Sequence, residues 1–123
     1  MAAIQTKKIL VVCSQPPAKG NLAREALDAA FAIAAFEQSV TVYFSGESIW
    51  QLLAAEQTNL TTGKAINSSW KAASLYEIDE LYVTAEELAK RCINAEELIE
   101  GISIISAKKV NAIMNAQDLV LSF

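Results

Sequence analysis

The sequence predicts a three-layer α/β/α domain built on a mainly parallel five-stranded sheet. Three observations carry that reading. Short apolar runs recur along the 123 residues, stretches opened by helix-capping residues alternate with them, and the first run is continuously apolar rather than alternating. Alternating strands and helices make a sheet covered on both faces, and a strand covered on both faces needs apolar side chains on both sides. With 53% hydrophobic and 20% charged residues the chain can bury one core. Residues 1–123 therefore read as a single domain that needs neither disulfide nor metal.

Lys7 to Ser14 forms the first strand through Ile9, Leu10, Val11 and Val12. Pro16, Pro17 and Gly20 break the chain into a loop, and Asn21 is placed to cap a helix from Leu22 to Glu37. Val40, Val42 and Phe44 mark a second strand, Ser39 to Gly46. A shorter helix is expected from Glu47 to Ala55, then a polar loop through Thr62 and Gly63, then a helix from Ser68 to Tyr76 capped by Asn67. Glu80 to Thr84 is the third strand. Thr84-Ala-Glu-Glu87 fits a capping box, in which the hydroxyl accepts from the third helical amide and the glutamate reaches back. Asn94-Ala-Glu-Glu97 repeats the pattern more weakly. Ile102 to Ile105 gives the fourth strand, Ala107 to Ala116 a last helix, and Asp118 to Phe123 the fifth strand.

The helix that starts at Leu22 is apolar nearly all round, whereas a surface helix ordinarily carries a single apolar stripe. Leu27, Ala30, Phe31 and Ala34 share a face suited to the sheet, and Ile33 and Phe36 fall away from its centre. One reading is a helix packed against its own sheet and also against a second subunit; the plainer one is an Ala-rich helix with a few exposed apolar residues. Trp50 and Leu53, three residues apart, and Trp70 beside the polar loop extend the same choice between core filling and an interaction face.

The chain has no histidine, which removes Ser-His-Asp, Cys-His and ordinary zinc chemistry. A net charge of −4 argues against direct nucleic-acid binding, which relies on clustered Lys and Arg. No segment reaches the roughly 18 apolar residues of a membrane span, and the first residues lack the pattern of an export signal. A cytoplasmic protein, with no cofactor and no metal, is expected. Its two cysteines, Cys13 and Cys92, are then free thiols, each either buried filler or reactive. Cys13 ends the first strand, where open α/β sheets place ligands, near Lys19 and a helix start that would favour a thiolate. Cys92 follows Lys90 and Arg91, though the carbonyl end of its helix opposes a thiolate. The loop Ser14 to Asn21 has the place of a flavodoxin-like phosphate cradle, but two prolines there donate no hydrogen bond and no nucleotide-binding glycine pattern occurs.

Several stretches resemble, in order and spacing, the TusC/DsrF branch of the DsrE/DsrF/DsrH-like sulfur-relay family. They are the first strand, Arg24-Glu-Ala-Leu-Asp-Ala29, Val42-Tyr-Phe-Ser-Gly-Glu-Ser-Ile-Trp-Gln-Leu-Leu53, Ser74-Leu-Tyr-Glu-Ile-Asp79 and Asp118-Leu-Val-Leu-Ser-Phe123. The resemblance implies one subunit of a hetero-oligomer with DsrE/TusD-like and DsrH/TusB-like chains, passing sulfur as a cysteine persulfide toward tRNA wobble-uridine thiolation or in sulfur oxidation. The family's carrier cysteine would fall at Thr84, and a hydroxyl cannot carry a persulfide. The expectation is therefore a non-carrier, structural subunit, not an enzyme on its own. The alternatives are a carrier role for Cys13 or Cys92, or a stand-alone flavin module.

Overall fold

The computed structural model describes residues 6–17, 21–54 and 66–123. The five strands are β1 (Lys8–Cys13), β2 (Ser39–Phe44), β3 (Glu80–Thr84), β4 (Ile102–Ile105) and β5 (Leu119–Ser122). They lie side by side in the order β4-β3-β2-β1-β5, and all four pairings are parallel. The helices are α1 (Leu22–Ala35), α2 (Ile66–Lys71), α3 (Ala85–Lys90) and α4 (Ala107–Asn115). Short 3-10 helices span Gly46–Leu52, Ala72–Tyr76 and Ala95–Glu97.

Register explains how the core divides. Val11 pairs with Val42, Val42 with Leu81, and Leu81 with Ile102, so all four side chains share one face. That face carries the main core, where Ala23, Ala26, Leu27 and Ala30 of α1 and Trp70 of α2 pack against Val11, Val42 and Phe44. Small residues along α1 let its backbone approach the sheet closely. Trp70 fills the remaining space, its ring set edge-on to Phe44 at 4.9 Å and to Phe31 at 6.3 Å. Such aromatic pairs contribute about 0.5–1.5 kcal/mol each beyond the area they bury. On the opposite face Leu10, Tyr43, Tyr82 and Ile105 meet Val110 and Ile113 of α4. The first three crossovers step from β1 to β4 one strand at a time, and α4 carries the chain back past them to β5 beside β1.

The strands follow the apolar runs, with β3 and β4 as expected and the other three each shorter by two residues. The region expected as a helix from Glu47 is a 3-10 helix, Gly46–Leu52, because Ser48 turns back onto backbone oxygens. Asn67 lies inside α2 rather than capping it, and its amide donates to the Leu53 carbonyl at 2.7 Å. The helix ends as α2 at Lys71 and tightens into 3-10 geometry to Tyr76, with Glu77 left-handed at φ 63°. Asn21 stands at the N-cap of α1, but its side chain makes no capping bond. The polar loop at Thr62 and Gly63, with Lys19 and Gly20, lies outside the described residues. Among those described, no helix is long and apolar enough to cross a membrane.

Candidate functional site at the carboxyl edge of the sheet

Open parallel sheets bind ligands beyond the carboxyl ends of their strands. Here that edge is made by Cys13 and Ser14, Ser45 and Gly46, and Thr84. The Cys13 carbonyl accepts from the Ser45 N–H at 2.9 Å, the Ser45 hydroxyl at 3.1 Å and the buried Ser48 hydroxyl at 2.9 Å. Both the N–H and the hydroxyl of Ser14 donate to the Phe123 carbonyl, at 3.0 and 2.8 Å. The Gln15 carbonyl accepts from Gln51 Nε2 at 2.8 Å, and Gln51 Oε1 accepts from the indole N–H of Trp70 at 2.9 Å. These groups are thus consumed in joining β1 to its neighbours. A phosphate cradle needs outward-facing donors, and this part of the loop keeps Ser14 turned inward.

Cys13 is 1% exposed on the α1 side of the sheet, and burial pushes its thiol up to about 12. At neutral pH it is a thiol, not a nucleophile. Cys92 is exposed and sits just past α3 with φ 54°. Its N–H donates to the Ala89 carbonyl, and that of Ile93 to the Leu88 carbonyl, which is the paired bonding of a Schellman helix end. Glycine is the usual residue at such a left-handed position. Thr84 is 3% exposed and caps α3, its hydroxyl accepting from the Glu87 N–H at 3.3 Å. Only half of the expected capping box forms. The Glu87 carboxylate turns away to bind Arg91 Nη1 at 2.5 Å. The weaker pattern does close as a capping box, with the Glu97 carboxylate accepting from the Asn94 N–H at 3.1 Å.

Arg91 is the electrostatic centre of this edge. Its side chain is 15% exposed and spans two carboxylates, with Nη1 on Glu87 and Nη2 on Glu47 at 2.9 Å. The other Glu47 oxygen accepts from the Trp50 indole N–H at 2.8 Å. Burial works against the charge, but the hydrogen bonds the guanidinium donates to Glu87 and Glu47 outweigh burial and hold it more firmly protonated than usual. Gly46 lies beside Arg91: a β-carbon there would make ordinary contact, 3.9 Å from Nη2 and 4.0 Å from the Ser14 carbonyl, so it is the φ of +56° that favours glycine. Below Thr84, burial raises the Tyr43 phenol, opposed by a hydrogen bond with Thr84 and reinforced by the charges of Glu87 and Glu86. Among the described residues no cluster of three or more His, Cys, Asp or Glu is placed to hold a metal.

A model of the DsrE/DsrF-like family matches residues 7–123. The chain belongs to the DsrE/DsrF-like family. Relatives within it include the Protein TusC homolog of Vibrio vulnificus, 28% identical over 107 residues that cover 87% of this chain and 91% of the relative. Protein TusC of Buchnera aphidicola is 28% identical over 118 residues, covering 95% and 99%. The Pseudomonas aeruginosa TusC homolog is 26% identical over 117 residues, covering 95% and 98%. Among solved structures, the ychN protein from E. coli shares the fold at a TM-score of 0.85 and 18% identity, covering 96% of this chain and all of that one. A protein of unknown function from Methanobacterium thermoautotrophicum does so at 0.68 and 8% identity, covering 97% and 100%.

The apolar residues singled out in the sequence do not gather on one face of this DsrE/DsrF-like chain. Trp70 is 1% exposed and belongs to the core, held inward by its bond to Gln51, so it offers no surface for contact. Ile33, Trp50 and Leu53 are half-buried against the core. Phe36 is 77% exposed at the end of α1, near the amino edge of the sheet and therefore across the domain from Trp50. Sequence reasoning missed Leu75, 83% exposed beside the half-exposed Tyr76, and the apolar side chains of the edge strands, Ile104, Leu119 and Val120. It also missed the Arg91 cluster. The spacing of Glu87 and Arg91, four apart on a helix, was a readable signal for half of it.

Proposed function

We propose that the chain is a non-carrier structural subunit of a persulfide sulfur-relay complex that supports 2-thiolation of the tRNA wobble uridine, in association with DsrE/TusD-like and DsrH/TusB-like subunits. The observation that carries the reading is Thr84. At the position where the resemblance expects a carrier cysteine stands a buried hydroxyl already committed to capping α3. Cys13 does not replace it, because a thiol held up to about 12 forms almost no thiolate at neutral pH. The adjacent Leu75 and Tyr76, 83% and 54% exposed, favour an associated state at that end of the 3-10 turn.

A second reading has a specific observation behind it: Cys92 is exposed. It lies eight residues beyond Thr84, roughly 12 Å along a helical path, so a sulfur there would reach a different place. Intact-mass spectrometry separates the two readings, using the chain alone and mixed with its DsrE-like partner after treatment with a persulfide donor without reductant. A 32-Da adduct (about the mass of one sulfur atom) only on the partner is the expected result. An adduct on this chain that disappears in Cys92→Ser overturns the non-carrier assignment.

A further inference from the structure

The guanidinium of Arg91 is only partly used by the groups around it. A guanidinium offers five N–H donors, and its Nε–H lies beside Nη2–H on the edge that grips a carboxylate or phosphate with two parallel bonds. Nη1 is filled by Glu87, through both its carboxylate at 2.5 Å and its carbonyl at 3.1 Å. On the other edge Glu47 supplies a single oxygen to Nη2 at 2.9 Å, because its second oxygen is held by Trp50. Arg91 Nε is buried with no hydrogen-bond partner among the described residues. A donor fork is thus half occupied by a carboxylate that cannot fill it.

The two carboxylates differ in how firmly they are placed. Glu87 is 25% exposed and lies four residues before Arg91 on the same element. Glu47 is 58% exposed and comes from the first turn of a 3-10 helix, directly after the left-handed Gly46. It has solvent to swing into. The fork also opens at the carboxyl edge of a parallel sheet, between the β2 end and the last turn of α3, where ligands of such sheets sit.

We propose that the Nε/Nη2 edge of Arg91 is an oxyanion-binding site, occupied in the free chain by Glu47 and taken over by an anion that presents two oxygens. The anion is either a free tetrahedral oxyanion or a carboxylate carried by a partner protein. Glu47 acts as a built-in competitor, and Glu87 stays in place as the anchor. Lys90, 3.9 Å from Glu87, offsets part of the negative charge the anion must approach. The site stands on this geometry alone and is independent of any part in sulfur transfer.

The test uses the full chain labelled with 15N. The Arg91 Nε–H NMR resonance is followed while inorganic phosphate, or separately acetate, is added against sodium chloride of equal ionic strength. Glu47→Gln removes the competing charge at an exposed position and leaves the core untouched. It is expected to show a saturable shift with a midpoint at least tenfold lower than the wild type, and the accompanying shift of the Gly46 backbone N–H, beside the fork, is expected to vanish in Glu47→Gln/Arg91→Lys, which keeps a charge but no fork. Saturation by phosphate alone identifies a tetrahedral oxyanion; saturation by acetate as well identifies a carboxylate. Equal midpoints in wild type and Glu47→Gln, or no saturation beyond the chloride control with either anion, overturn the proposal.

Discussion

Replacing Gln51 by leucine should remove more stability than any surface substitution in this chain. Gln51 has no exposure, donates to the Gln15 carbonyl at 2.8 Å and accepts from Trp70 Nε1 at 2.9 Å. Leucine keeps the bulk but strands the Trp70 N–H, which is 1% exposed and so has no route to water. An orphaned buried donor costs about 1–3 kcal/mol, and the lost bond to Gln15 adds about 1 kcal/mol. The expected loss is therefore roughly 2–4 kcal/mol, a large share of the ~5–15 kcal/mol typical of a domain. At about 4 °C per kcal/mol, Tm should fall by roughly 10–15 °C. The assay is urea unfolding followed by far-UV circular dichroism for wild type, Gln51→Leu, Trp70→Phe and the double variant. Phenylalanine deletes the N–H, so the double variant should be more stable than the sum of the single losses predicts, by about 1–3 kcal/mol. A cycle additive to within about 0.5 kcal/mol would refute the buried bond as the reason for this glutamine.

Three further perturbations test other parts of the structure. Cys92→Gly relieves a left-handed residue at the end of α3 and should stabilise the chain by about 0.5–1 kcal/mol, read as a small rise in Tm, whereas Cys92→Val should lower it. Thr84→Ala removes the α3 cap and should cost about 0.5–2 kcal/mol, with Thr84→Ser retaining most of the loss-free state; equal melting of the alanine and serine variants would count against the cap. Cys13 gives a pH signature. Burial holds its folded-state thiol up to about 12, above the ordinary value of 9.0, so the unfolded chain sheds this proton first as pH rises. Its contribution to stability is intact below pH ~9 and should erode above it by about 1 kcal/mol per pH unit, a slope that Cys13→Ala should lack in urea unfolding between pH 8 and 10.5.

The strands were legible because both faces of each interior strand are buried, and burial on both faces writes itself as a continuous apolar run. Ile9 to Val12 marked β1 for that reason; the edge strand β4, only partly buried, was legible to the residue through its β-branched run Ile102, Ile104 and Ile105. What escaped depends on partners far along the chain. Ser48 sits in a 3-10 helix because its hydroxyl finds the Cys13 carbonyl, 35 positions away, and no local pattern announces that bond. Trp70 read as a surface candidate beside a polar loop, yet Gln51, 19 positions earlier, supplies the acceptor that lets an indole sit in the core. The site was legible in its parts and not in its assembly. Thr84 was recognised as a cap from the spacing to Glu87. That Glu87 would desert the capping box for Arg91, and that Arg91 would reach Glu47 across 44 positions, follows only from the crossover that brings β2 and β3 together.

The return of α4 to deliver β5 beside β1 has a consequence for how the chain is made. β1 leaves the ribosome ahead of the other four strands of its sheet, but one of its two edges is closed only when Leu119 to Ser122 arrive. The Lys8 amide, for instance, waits for the carboxylate of Asp118, 110 positions downstream. At about 5–20 residues per second, the apolar ribbon Ile9 to Val12 spends roughly 5–20 s of synthesis with a bare flank. During that interval the nascent chain is open to strand pairing with its neighbours on the same message. Crowded translation, more than the stability of the finished domain, is therefore the stage at which this topology is exposed to failure.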